Sequence, residues 1–191
     1  MKAYRKELGL GLIVILCVVI LIWKVGQSPP PEPQADGRPP CGTDRETLVM
    51  QDEWMSGTLE KNTEFEALKD WHSCHPLERG DLVLYQVSKS HDPVVRKVAG
   101  IPGDKFKIRK DQNKNSWNIE INGQTLMEND KPYHFGSANP PALKLYQDAQ
   151  NGVLDQSAVL IFSTKSPGDQ DSGSLGVLST NDIVGLVTPS K

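Results

Sequence analysis

The stretch that decides the fold is RGDLVLY (79–85), followed nine residues on by VVRKVAGIPGDKFKI (94–108). In DLVLYQV (81–87), Leu82, Leu84 and Gln86 fall on one side of an extended strand, and Val83, Tyr85 and Val87 on the other. Side chains alternate along a strand, so both faces of this one are largely apolar, as in a strand buried inside a sheet. IPGD (101–104) interrupts the second run with a turn, Pro102 fixing φ and Gly103 free to take positive φ. Further along, WNIEINGQTLM (117–127) places Trp117, Ile119 and Ile121 on one face. Its Asn122-Gly123 is a two-residue hairpin signal, because both turn positions favour positive φ. SAVLIFST (157–164) and DIVGLVTP (182–189) read as two more strands, whereas NTEFEALKDW (62–71) is the segment expected to be helical. No internal repeat is present. Many short strands in one domain predict a mostly β fold, mixed or antiparallel, built as a barrel or a sandwich.

The 191 residues suit one domain plus accessory segments, and the net charge of −3 gives no basic footprint for nucleic acid. Residues 8–23, LGLGLIVILCVVILIW, contain no charge. That is slightly short of the about 20 residues a spanning helix needs, a mismatch that tilt and flanking residues absorb. Lys2, Arg5 and Lys6 precede the segment, which predicts a cytoplasmic tail over 1–7, an anchor over 8–24 and an extracytoplasmic remainder. The exit, WKVGQSPPPEP, lacks the small-x-small pattern of a cleaved signal peptide. Residues 25–45 follow as a stalk. The stretch 27–45 holds six prolines, which favour extended polyproline geometry at about 3.1 Å per residue. The ectodomain is expected over 46–191. Cys17 lies in the anchor, while Cys41 and Cys74 fall where oxidation is allowed and are candidates for a disulfide or for two unpaired thiols.

Four stretches in order carry more than composition: TLVMQDEWMSGTLE (47–60), RGDLVLY, VVRKVAGIPGDKFKI and LIFSTKSPGDQDSGSLGVLSTNDIVG (160–185). Together they resemble the type I signal peptidase family, membrane-anchored Ser–Lys serine proteases. The last stretch looks a little more like the conjugative-transfer branch. The resemblance covers residues 46–187 and implies a signal-peptidase-like β ectodomain on one N-terminal transmembrane helix at the inner membrane. The RGD turn (Arg79, Gly80, Asp81) belongs to the pattern. The family's nucleophile lies in Ser-Met-x-Pro-Thr-Leu. Met55, Thr58 and Leu59 match, which puts Trp54 on the serine and Gly57 on the proline. The general base lies in Lys-Arg-x-x-Gly-x-Pro-Gly-Asp. Gly100, Pro102, Gly103 and Asp104 match, which puts Arg96 on the lysine and Lys97 on the arginine. In the final pattern Asp171, Ser172 and Gly176 match, and Gly173 replaces an arginine. Ser163-Thr164-Lys165 stands for Gly-Asp-Asn, and Asp169 for a serine that orients the lysine.

The departures fall on the chemistry. A Ser–Lys mechanism needs a hydroxyl to attack and a neutral amine to take its proton. Burial lets lysine supply that amine, whereas arginine stays protonated. Tryptophan offers an N–H donor and no nucleophile. An alternative dyad, Ser56 with Lys97, would need a displacement of about 6–7 Å along the strand for the serine and a flip of face for the lysine. The step from Lys97 to Gly100 is also one residue short of the pattern. Ser163, Ser172 and Ser174 lie in no matching turn. His72-Ser73-Cys74-His75 gathers metal-ligating residues, but His91 and His134 are isolated, so no metal site and no cofactor is expected.

Three readings follow. In the first, a degenerate signal-peptidase homologue, a periplasmic pseudoenzyme, binds an extended peptide or pre-protein segment for a secretion or conjugation apparatus. In the second, Ser56 and Lys97 make it an active endopeptidase processing signal peptides or pilin. In the third it is a structural subunit of an envelope complex.

Overall fold

The structure is a computed structural model and describes residues 42, 44–86, 88, 92–112, 114–136 and 140–189. The expected tail, the anchor over 8–24, Cys17, nearly all of the stalk with Cys41, and His91 lie outside the described residues. The described chain belongs to the unit Cys41–Lys191, and the division falls after Pro40. Among the described residues no helix is long and apolar enough to cross a membrane.

Twelve strands order the described chain. The first five are β1 (Arg45–Val49), β2 (Glu64–Lys69), β3 (Leu82–Tyr85), β4 (Val94–Gly100) and β5 (Phe106–Lys110). Then come β6 (Trp117–Ile121), β7 (Gln124–Thr125), β8 (Met127–Glu128), β9 (Lys131–Pro132), β10 (Ala158–Phe162), β11 (Leu178–Ser179) and β12 (Ile183–Pro189). Two helices, α1 (Pro141–Gln150) and the single-turn α2 (Ser172–Leu175), complete the chain with short 3-10 turns. The main sheet has the order β1-β2-β12-β3-β4-β10-β11, and its pairings are antiparallel. β5-β6-β7 and β8-β9 form two smaller sheets.

β3 is buried at all four positions, as its two apolar faces require. Leu82 and Leu84 join Met50, Met55, Phe65 and Val95 in one core cluster, and Val83 and Tyr85 join Val98 and Ile161 in another. Burying a side chain of this size stabilises by about 1.5–3 kcal/mol. A third cluster packs Phe106, Ile119 and Ile121 of the β5-β6-β7 sheet against Tyr133, Leu143 and Phe162. The Asn122-Gly123 hairpin and the IPGD turn form as read: Asn122, Gly123 and Gly103 have φ of 52°, 81° and 88°.

The helix expected over 62–71 is a strand. Glu64-Phe65-Glu66-Ala67 alternates, with Phe65 and Ala67 buried and the glutamates facing out. The strand sits between β1 and β12 and bonds to both. Helix propensities differ by tenths of a kcal/mol per residue, so two ladders and a buried face decide the conformation. Asn62 and Asp70, both at positive φ, mark its ends. The helix lies elsewhere. α1 has Pro141 in its first turn, buries Leu143, and ends on left-handed Asn151 before Gly152.

β1 and β4 stand four places apart in the sheet order, yet both line one groove of about 580 Å³. The sheet therefore curls until its first strand faces its fifth across an open slot.

Candidate active site and its occupants

The guanidinium of Arg96 is the largest fully buried side chain of the described unit, at 0% exposure. It sits on β4 opposite Val83. A buried charge must be paired and hydrogen-bonded. Arg96 Nη1 donates to Asp52 Oδ2 at 3.1 Å and to its neighbour's carbonyl, Val95 O, at 2.6 Å. Nε and Nη2 both donate to Asp169 O, at 3.1 and 2.7 Å. One fork thus joins β4, the 50–60 segment and the loop before α2. Arg96 and Asp169, both singled out in the sequence, are thereby brought into contact.

The 52–60 segment is a series of turns. Asp52 Oδ1 accepts from Trp54 N–H at 3.0 Å. Trp54 is half-buried, and its carbonyl accepts from the backbone N–H groups of Thr164 and Lys165 at 2.9 and 3.2 Å. Met55 and Leu59 are buried in the core and hold the turn down, while Gly57 has φ of 89°. Ser56 Oγ donates to Glu53 O at 2.9 Å within the same turn. Lys97, one residue past Arg96, pairs with the buried carboxylate of Glu128. Ser56 and Lys97 therefore have other partners, and no hydrogen bond joins them among the described residues. The alternation of β4 explains the separation, because Arg96 and Lys97 leave the strand on opposite sides.

A second buried network stands behind the first. The Asp171 carboxylate, 0% exposed, accepts from Tyr133 Oη at 2.8 Å, Ser163 Oγ at 3.0 Å, Ser163 N–H at 3.1 Å and Gly173 N–H at 2.8 Å. Asp171 also caps α2, and Ser172 Oγ accepts from Ile161 N–H at 3.0 Å. Burial, then the Asp171 charge and its hydrogen bond, push the Tyr133 phenol well above its ordinary value. Sealed from solvent, this network ties β10 to α2 and offers no hydroxyl to a substrate. Asp104 plays a similar part at the IPGD turn. Burial alone would raise its carboxyl, but Arg79, the Ile101 N–H and the Asn122 amide hold it below the usual carboxylate range. Arg79 of the RGD turn therefore serves the scaffold, as does Gly80, which donates to Val98 O at 2.8 Å. Asp81 accepts from Val98 N–H at 2.8 Å.

The groove between β1 and β4 runs up to this cluster. Its lining includes Leu48, Met50, Phe65, Leu84 and Val95, with Asp52 and Gln170 from the cluster itself. β1 pairs with β2 alone, and β4 pairs with β10 only from Lys97 onward. Two strand edges therefore flank the slot. Val98 exchanges its backbone bonds with the chain before β3, so by strand alternation the groups of Val95 point the other way, into the slot. Arg96 already covers Val95 O.

Away from this groove, Trp71 and His75 stack at 3.7 Å beside a cavity of about 350 Å³, and Cys74 is disulfide-bonded. The other two cysteines, Cys17 and Cys41, lie outside the described residues. The ring nitrogens of His72 are buried without a hydrogen-bond partner among the described residues, and burial lowers its imidazole below the ordinary value. Reading the sequence alone picked out Trp54, Arg96 and Asp169 by motif but missed Asp52, Tyr133 and Gln170. Asp52, two residues before Trp54, and Gln170, between Asp169 and Asp171, lay near enough to a motif to be suspected.

The described site is thus a buried, ion-paired Arg96 that ties β4 to the turns at 52–60 and to the loop before α2. The chain belongs to the signal peptidase family, peptidase S26, whose model matches residues 6–190. A signal peptidase I from Enterococcus faecalis V583, solved by crystallography, is similar at 16% identity and a TM-score of 0.41, covering 60% of this chain and 98% of that one. No curated protein matches the chain.

Proposed function

We propose that this S26-family protein binds extended peptide segments at the extracytoplasmic face of the membrane and does not cleave them. The observation that carries the reading is Arg96, buried and bonded to Asp52 and Asp169 where a neutral amine is needed. A guanidinium cannot take a proton from a hydroxyl, and Trp54 has no hydroxyl to give. Ser56 faces Glu53 O, and Lys165 pairs with Glu53 at 3.0 Å on the surface. What survives is the slot. An extended chain laid along the edge of β1 gains main-chain hydrogen bonds, and its alternate side chains reach Leu48, Met50 and Phe65. Neither interaction needs the dyad. The 8–24 segment would hold the domain at the membrane, and the partners would be pre-protein or pilin-like segments of a secretion or conjugation apparatus.

The test is a pair of measurements on purified full-length protein: cleavage of a pre-protein, and retention of that pre-protein on immobilised protein. Retention without cleavage is expected. Cleavage abolished by Ser56→Ala or Lys97→Met would overturn the reading in favour of an active peptidase. Loss of retention would leave a structural subunit of an envelope complex.

A further inference from the structure

The groove has a sign. Its described lining carries three carboxylates, Glu46, Asp52 and Asp92, and no lysine or arginine. Two of the three have a cation close by. Glu46 pairs with Lys69 at 2.8 Å, and Asp52 pairs with Arg96. Neither cation lines the groove, and Arg96, wholly buried, is not presented to an occupant. Asp92 is exposed and has no ion pair among the described residues. The remaining lining is apolar or neutral: Leu48, Phe65, Leu84 and Val95, with Gln51 and Gln170. Gln170 is held in the left-handed region at φ 47°, which a glutamine adopts only when its surroundings fix it. Gln170 follows Asp169, whose carbonyl accepts from Arg96.

Resting on the peptide-binding reading above, we infer that this groove selects extended segments carrying lysine or arginine beside their apolar residues. An occupant strand places alternate side chains on the apolar floor. The intervening residues meet the rim, where Asp92 and Glu46 attract a cation and repel a carboxylate. Charges at a rim govern discrimination and encounter more than total affinity, and salt screens them. A segment with glutamate at the same positions fits the floor equally well and is refused on charge.

The experiment uses the full-length protein in neutral detergent micelles and three labelled synthetic peptides. They share alternate apolar residues and carry lysine, glutamine or glutamate at the intervening positions. Fluorescence anisotropy reads affinity at low and high ionic strength. The lysine peptide should bind about tenfold tighter than the glutamate peptide at low salt, with glutamine between them, and the gap should narrow at high salt. Asp92→Asn, at an exposed position, should cut the preference about two- to fivefold. Equal binding of all three peptides would overturn the charge selection and leave peptide binding standing. A preference untouched by Asp92→Asn and by Glu46→Gln would overturn its assignment to this groove. No binding of any peptide would remove the peptide-binding reading and this inference together.

Discussion

Arg96→Met tests whether Arg96 is a structural keystone. Methionine keeps much of the volume and removes the donors. It strands Asp52 Oδ2, Val95 O and Asp169 O, which now accept from Arg96 at 2.6–3.1 Å. Removing one member of a buried pair costs about 3–5 kcal/mol when the other cannot reach water. The Asp52 side chain is 28% exposed and rehydrates in part, so Arg96→Met should cost about 2–3 kcal/mol. Asp52→Ala leaves the worse orphan, a guanidinium at 0% exposure, and should cost the full range of about 3–5 kcal/mol. The double variant should cost less than the sum, with a coupling of about 1–3 kcal/mol. Arg96→Lys should recover only part of the loss, because one ammonium cannot reach all three acceptors as the planar fork does. Urea unfolding of the full-length protein in detergent, followed by tryptophan fluorescence, gives the four stabilities. Single variants within about 0.5 kcal/mol of wild type, or strictly additive ones, would refute this account of Arg96.

Other expectations follow from the two networks and from His72. Tyr133→Phe removes the donor to Asp171 and the acceptor for Gly168 N–H at 3.0 Å, and should cost about 1–3 kcal/mol in the same assay. Gly168→Ala should disturb the same site, since an added Cβ would lie 2.6 Å from Ser163 Oγ and 2.7 Å from Tyr133 Oη; a full-stability Gly168→Ala would show that the loop yields freely. Asp104 is held below its ordinary value, so its contribution is present above about pH 4, the unfolded value, and is lost as pH falls through the lower folded one. Asp104→Asn should flatten that acid limb of the stability curve. His72 is lowered on folding, so the unfolded chain binds the proton more tightly. Stability should decline as pH falls below about 6.5, and His72→Gln should remove that part of the slope.

Much of the fold could be read from local pattern. The double-faced apolar run at 82–85, the Asn122-Gly123 hairpin and the IPGD turn each state their geometry within a few residues. Glu64–Lys69 could not be read so, because its strand state depends on β1 and β12, the latter more than a hundred residues away. α1 was overlooked for a different reason. Its apolar face is thin, with Leu143 its buried residue, and its clearest marks are punctuation: Pro141 at the start and Asn151-Gly152 at the end. At the site, Trp54 and Arg96 were legible because they stand inside fixed motif spacings. What Arg96 bonds to was not, since Asp52 and Asp169 O are 44 and 73 residues distant. Equally hidden was the fate of Ser56 and Lys97, which are held apart by Glu53 O within the same turn and by Glu128, 31 residues on from Lys97.

The most direct test of the central claim is cleavage itself. Purified full-length protein, incubated with a pre-protein that an active signal peptidase processes, should yield no product above the enzyme-free control between pH 6 and pH 10, a range over which a buried lysine would become a base. Product that appears with wild-type protein and disappears with Ser56→Ala would contradict the account.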